Sequence, residues 1–483
     1  MLEAGVRAGG PARHPNQCLN QGRLNRRACA RRLLGDGMAR VLLLGLFVLL
    51  LLERMLDLEL GLAKGLSLKN LYIYAILGLL ALGALMRGRI VLSAPPHGVN
   101  LAYLLLLGYA ALSWYFAGQL NPWNLPYDRV EGFITLKRLL DQYMLFLVFL
   151  LTLRSREDAL WVARGMLACI ALSNLITLVD VYNILDLGII HEREDGRVSG
   201  PMGESNQFGA FMVLFLPSIL AMAFMSRGLR RVFWILGGLV SAMALLLAVS
   251  RGALSALVVG TVLGCLYLYR YIPRGQLTRG VLITGVVCAV VVSVAMLHYG
   301  DLLYERLYAQ SDPDDMRTLS SGRSYIWSAA LATMAEHPLT WLVGGGWNMY
   351  DNMRALGIYF YATHNTFLSF LYDLGMIGLS LYLVLVYAML RTARSAIGRL
   401  PAAQRAELIM FVIGFIGLMW AVFFVNLYKP WLLIWAYLGL MMRVAVSASR
   451  TAEAPDGAPD PHSPEPVTDP GWDGAARARR ERG

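Results

Sequence analysis

Val232 to Leu268 reads VFWILGGLVSAMALLLAVSRGALSALVVGTVLGCLYL, two apolar runs parted only by Ser250-Arg251-Gly252. Each half approaches the roughly 20 residues that an α-helix needs to cross a hydrocarbon core. The segment therefore reads as a helical hairpin in a bilayer, with Arg251 at its tip. The pattern recurs: Val41 to Leu52, Leu71 to Met86, Phe208 to Met225 and Val281 to Met296 are also nearly free of charge. No period-2 alternation repeats in short segments, which disfavours a β-barrel and leaves a helical bundle. Composition agrees, with 57% hydrophobic residues, 16% charged residues and a mean hydropathy of +0.53.

The expected fold is an all-α polytopic membrane protein of about twelve transmembrane helices. Expected spans are 40–57, 70–87, 98–117, 135–153, 159–181, 208–225, 232–249, 252–269, 280–297, 365–390, 406–425 and 430–447. Arginines cluster in alternate connections: Arg87 and Arg89, Arg154 and Arg156, Arg227 to Arg231, Arg270 to Arg279, and Arg391 to Arg405. The positive-inside rule puts these loops and both termini in the cytoplasm. The opposite loops then face out, with 298–364 as the one large outer segment. The organisation expected is a disordered basic cytoplasmic extension at 1–37, transmembrane helices at 38–297, the outer loop at 298–364, further transmembrane helices at 365–447 and a disordered cytoplasmic tail at 448–483. Glu53-Arg54 stands where a signal-peptide cleavage site would need small residues, so the first span is read as uncleaved. Met38 is an alternative start.

A net charge of +11 raises the question of nucleic acid. The excess is spread over short loops and tails, as insertion topology requires, so no nucleic-acid partner is expected. None of the five cysteines falls in an outward loop and no pair has zinc spacing, so neither a disulfide framework nor a zinc site is expected.

Function is sought where polar residues defy the topology. Arg251 is a cation on the outer side, against the charge bias. It reads either as a hairpin arginine snorkelling to headgroups or as an anion site beside a helix N-terminus. In the outer segment, Ser321-Gly322-Arg323-Ser324-Tyr325-Ile326-Trp327 leads into a helix through Ala335, with Ile326, Ala330 and Met334 on one face. Arg323 near that helix start opposes the dipole, which a bound anion or plain solvation would explain. Gly344-Gly345-Gly346 could bring backbone N–H groups close to a ligand. His364-Asn365 sits where the loop re-enters an apolar helix, and Gly375 and Gly378 follow. A histidine there suits proton abstraction near neutral pH, or serves structure alone.

Together these residues resemble the O-antigen ligase and polymerase superfamily, membrane glycosyltransferases that use polyprenyl-diphosphate-linked glycans. The resemblance spans about residues 70–447. Its motifs are Arg197-Val198-Ser199-Gly200 with Asn206 and Pro217, Ser250-Arg251-Gly252-Ala253, Gly322-Arg323 with Trp327, and His364-Asn365 followed by Gly375 and Gly378. It implies a GT-C-like fold in a bacterial inner membrane, with the active site facing the periplasm. Arg251 and Arg323 would hold the undecaprenyl diphosphate, His364 would activate the acceptor hydroxyl, and Arg197 and Asn365 would assist donor binding or orient the histidine. Gly375 and Gly378 would permit close helix packing. No metal or cofactor is implied. The acceptor is expected to be lipid A-core, as in a ligase, with a polymerase or a protein O-oligosaccharyl ligase as alternatives.

Some features compete. Asp312, Asp314 and Asp315 have the spacing of a metal-binding Asp-x-Asp, or form a solvated turn. Glu192, Glu194, Asp195 and Glu204 offer carboxylates that could assist a base, or a hydrated loop. Lys137, Arg138 and Asp141 read as interface anchors, with Lys137 and Asp141 on one helix face. A flippase or transporter would more often place ionisable groups at the midplane of broken helices.

Overall fold

The apolar runs fold as helices because a backbone in hydrocarbon has only its own carbonyls to bond. The computed structural model describes residues 23–58, 61–63, 66–86, 95–185, 197–272, 300, 304, 320, 322–428 and 430–453. After α1 (Arg23–Met55) comes a small antiparallel hairpin, β1 (Gly61–Ala63) and β2 (Leu66–Ser67). Then follow α2 (Leu68–Leu85), α3 (His97–Leu120), α4 (Arg129–Leu151), α5 (Arg156–Val181), α6 (Ser205–Met225), α7 (Leu229–Leu247) and α8 (Arg251–Leu268). Three short helices, α9 (Arg323–Ala335), α10 (Leu339–Val343) and α11 (Met349–Ala355), precede α12 (Thr366–Arg399), α13 (Ala406–Ala421) and α14 (Trp431–Glu453).

Helices stand at eleven of the expected spans, and the remaining one, 280–297, lies outside the described residues. Seven of the described helices, α3, α5 to α8, α12 and α14, are long and apolar enough to cross a membrane, and α2 and α13 supply shorter apolar helices. The outward faces of α3 and α8 carry Leu101, Leu112, Val258 and Leu266, all more than half exposed. Lipid is the solvent that such a surface fits. The chain is an all-α polytopic membrane protein.

Two expected boundaries change. α1 begins at Arg23, inside the segment expected to be disordered, because the Leu, Ala and Arg of 24–34 are strong helix formers. α12 runs on to Arg399, well beyond the expected end at 390, since nothing between Tyr387 and Gly398 breaks a helix.

Glycines bring the central helices into contact. A Cβ at Gly260 of α8 would lie 2.3 Å from the Gly417 Cα of α13, one at Gly264 2.8 Å from Ile413, and one at Gly414 2.2 Å from the Leu214 carbonyl of α6. Small residues let helix backbones approach where apolar solvent supplies no hydrophobic drive. The pairing is antiparallel, because Ser255 near the start of α8 accepts from Trp420 Nε1 at the end of α13, 3.3 Å. At the far end Arg394 and Arg405 stack over Tyr267 and Tyr271, at 4.6 and 5.8 Å, and Arg156 bonds Gln404. The described parts of three basic connections, at Arg156, at Tyr271 and from Arg394 to Arg405, therefore gather at one end of the bundle, and the starts of α8 and α12 lie at the other.

At that second end α9, α10 and α11 form a cap. The expected apolar face of α9 is borne out: Ala330 and Met334 are fully buried and Ile326 packs beside them, against Met349, Met353, Leu368 and Tyr372.

Candidate active site

Arg251 is the first residue of α8, whose N-cap is Ser250: the hydroxyl accepts from the Ala253 amide. The preceding Val249 takes a left-handed φ of 44°. Such a turn needs external support, and Arg197 gives it. Its Nε donates to the Ala248 carbonyl at 3.1 Å, and its Nη2 donates to Asn206 Oδ1 at 3.0 Å, the same oxygen that accepts from the Ser250 hydroxyl. The Val198 amide closes the set on the Leu247 carbonyl, 3.0 Å. Arg197 thus braces the hairpin tip on which Arg251 is mounted.

Arg323 is likewise the first residue of its helix, α9, after Gly322 in the left-handed region. Both arginines therefore stand at the positive end of a helix dipole, where an anion rather than a cation is favoured. Burial comes first, and then the charge of Arg251, in lowering the Arg323 guanidinium below its ordinary range; Glu204 acts in the opposite direction. Residues far apart in sequence thus share one electrostatic neighbourhood. Glu204 precedes α6 and accepts from Gln207 Nε2 at 2.5 Å.

His364 occupies a tight turn, with φ 46°. Four contacts fix that turn. Asn365 Oδ1 caps α12 by accepting from the Leu368 amide, 3.1 Å; the Thr366 amide donates to the Val422 carbonyl, 2.9 Å; Asn426 Nδ2 donates to Thr363 Oγ1, 2.6 Å; and Trp327 Nε1 donates to the Thr363 carbonyl, 2.9 Å. Trp327 lies one helical turn beyond Arg323, so α9 carries the cation on one turn and clasps the histidine's support with the next. The 422–426 segment also meets the Arg251 side, since a Cβ at Gly252 would touch Phe424 at 2.9 Å.

The structure thus brings Arg251 and Arg323 together and ties the His364 turn to the same helix. Arg197 and Asn365, expected to assist the donor or orient the histidine, both make supporting contacts beside the site. Arg197 holds the hairpin tip, and the Asn365 oxygen is spent on a helix cap.

The glycine run is a correction. The Gly345 and Gly346 amides donate to the carbonyls of Tyr372 and Asp373, at 2.8 and 3.1 Å, so they face no ligand. A Cβ on Gly344 would lie 2.3 Å from the Asp373 carbonyl, and one on Gly375 would lie 2.3 Å from the Leu342 carbonyl. The two glycines interlock where α12 kinks at Gly375, φ 64°. The loop needed glycine for close packing of backbone on backbone. Lys137 and Asp141 are a second correction. They pair at 2.7 Å inside the protein, and Asp141, 6% exposed, also accepts from Tyr74 at 2.5 Å and Asn70 at 3.3 Å. A carboxylate with three donors is an interior network rather than a lipid-interface anchor.

Thr363, Asn426 and Ser369, which buttress the His364 turn, gave no sequence signal, being ordinary polar residues near apolar runs. Asp373 did carry one, as a carboxylate in an apolar helix; it accepts from the Asn348 and Tyr350 amides at 3.2 and 3.0 Å and secures the start of α11. Asp312, Asp314, Asp315 and Glu192 to Asp195 lie outside the described residues. Among the described residues no group of three His, Cys, Asp or Glu side chains is placed to hold a metal ion.

These features define a polytopic helical membrane protein with two arginines at helix starts and a histidine turn tied to one of those helices. Residues 236–383, from α7 through Arg251, Arg323 and His364 to the first part of α12, match the family model described as O-antigen ligase. Over those residues, about a third of its length, the chain is similar to the O-antigen ligase family. No curated protein matches it.

Proposed function

We propose that this protein is an inner-membrane glycosyltransferase of about twelve spans and GT-C-like fold, moving a glycan from undecaprenyl diphosphate to an acceptor hydroxyl at the periplasmic face. The observation that carries this reading is the coupling of Arg251 and Arg323, two cations on helix N-termini that repel one another across a partly buried site. A diphosphate relieves that repulsion, and does so most as the glycosidic bond breaks and charge grows on the leaving group. His364 takes the proton of the acceptor hydroxyl as its oxygen bonds the anomeric carbon. The bond from that carbon to the diphosphate oxygen breaks in the same step, so no metal is required in this scheme. Arg197 contributes by holding the Arg251 turn, and Asn365 by holding the His364 turn.

Within the superfamily, the His364-Asn365 pattern and the single large outer segment favour a ligase with lipid A-core as acceptor. The test is purified protein with polyprenyl-diphosphate oligosaccharide and two competing acceptors, lipid A-core and a second lipid-linked glycan. One-step capture by lipid A-core supports the ligase, and a ladder of lengthening lipid-linked products makes it a polymerase. Absence of transfer to either, with donor intact, sinks the glycosyltransferase reading.

A further inference from the structure

A cavity of about 750 Å³ opens among α2, α4, α11, α12 and α14, and Arg251, Arg323 and His364 do not line it. Its wall includes Thr366, Ser369 and Asn426. Ser369 and Asn426 both hydrogen-bond Thr363, the residue before His364, so the cavity ends against the support of the proposed base. Most charge along it is paired, Lys137 with Asp141 at 2.7 Å, Lys69 with Glu53 at 2.5 Å, Arg138 with Glu131 at 3.9 Å and Asp351 with Arg354 at 3.1 Å, while Arg54 and Asp373 also line it. A site built for an anion would carry an excess of cations, which this wall does not. A purely apolar guest does not fit either, because carboxylates and amides face the space.

Four lining residues carry a buried polar atom with no hydrogen-bond partner among the described residues, Ser67 Oγ, Asp351 Oδ1, Asn426 Oδ1 and Trp435 Nε1, and Asn426 and Trp435 are only 6% and 5% exposed. An unpaired buried acceptor and an unpaired buried donor each cost desolvation energy, and a ligand offering both hydroxyl hydrogens and oxygens would satisfy the two at once. Trp347, Trp431 and Tyr428 add broad aromatic surfaces to the same wall, and a ring presents an apolar face with a polar rim. Neutral charge, aromatic faces, and donors and acceptors in one volume describe a carbohydrate.

We infer that this cavity binds the sugar of the acceptor, a neutral hydroxylated saccharide, and presents its hydroxyl to the His364 turn from the side away from the arginine pair. The inference rests on the glycosyl-transfer reading for the word acceptor, but the saccharide site stands on the cavity alone. The test uses the full chain in nanodiscs. It is titrated with core oligosaccharide released from bacterial lipopolysaccharide by mild acid, before and after enzymatic dephosphorylation, with tryptophan fluorescence as the readout. Both forms should bind alike. Trp435→Phe, which keeps the packing and removes only the orphan donor, should weaken binding at least fivefold, and Ile134→Trp, which puts a bulky ring into the cavity, should weaken it as well. In the transfer assay both variants should raise the acceptor KM with the donor KM unchanged. The saccharide site is overturned if wild type does not bind, if only the phosphorylated form binds, or if both variants bind as wild type does. Saccharide binding without any transfer activity removes the glycosyltransferase reading and leaves the site standing. Transfer in which the donor KM rises instead assigns the cavity to the donor and ends the inference.

Discussion

The neighbourhood of Arg251 and Arg323 and the cavity around Lys137 handle charge in opposite ways. In the first, Arg323 at a helix N-terminus feels the like charge of Arg251 at another, with Glu204 acting in the opposite direction. In the second, Lys137 meets Asp141, which also draws on Tyr74 and Asn70. Both lie at interior surfaces of one helical bundle, so burial alone does not explain the difference. Under the proposed function the first neighbourhood is the one that meets the donor diphosphate.

The comparison breaks most sharply under substitution of the arginines. Arg251→Ala and Arg323→Ala should each lower transfer by about 10² to 10³-fold, the scale of losing one preorganised transition-state donor. Neither should reduce thermal stability, because each removes a repelling charge. A drop in unfolding midpoint with transfer intact would make the pair structural. His364→Ala should cut turnover by about 10²-fold or more and leave donor affinity as it is, measured by competition with inorganic pyrophosphate. An unchanged rate would remove the base.

The charge-balanced region should answer the other way. Asp141→Asn should destabilise the protein by about 2 to 3 kcal/mol, because Lys137 loses its partner inside the bundle; an unaltered midpoint in detergent would show the network to be idle. Asn365→Ala, which removes the cap of α12, should cost about 1 kcal/mol, and a larger loss of turnover than of stability would mean that the cap positions His364.

The smallest effect concerns Asp351, in α11 outside the membrane. Burial raises its carboxyl above the ordinary 3.8, against the pull of Arg354. The folded state therefore holds a proton that the unfolded chain has already released, so this contribution is full below pH 3.8. It fades as pH rises through the folded value. Midpoints measured across that window should fall with rising pH, and Asp351→Asn should flatten the trend.

Much of this was legible in the sequence. Apolar runs placed the helices, because a span advertises itself by length and absence of charge. The Ile326, Ala330 and Met334 face and the positions of Arg251 and Arg323 at helix starts were visible as spacing and as polar residues out of place. The sequence misled where long-range packing decides. Gly344 to Gly346 looked like a ligand cradle, yet its partner is the backbone at Tyr372 and Asp373. Lys137 and Asp141 looked like surface anchors, because Tyr74 and Asn70, which turn them inward, are some seventy residues earlier. The start of α1 was missed because a run of arginines suggests solvation more loudly than it suggests helix.

The kink at Gly375 gives α12 two mechanical owners. Its short arm, Thr366 to Leu374, carries Leu368 and Tyr372 into the cap beside Met349 and Met353, while its long arm runs through the bundle to Arg399. His364 hangs from the short arm and Arg251 rides on α8 in the bundle. The spacing between proposed base and proposed diphosphate clamp is therefore set at one joint, and Gly344, wedged against it, is the shim that fixes its angle.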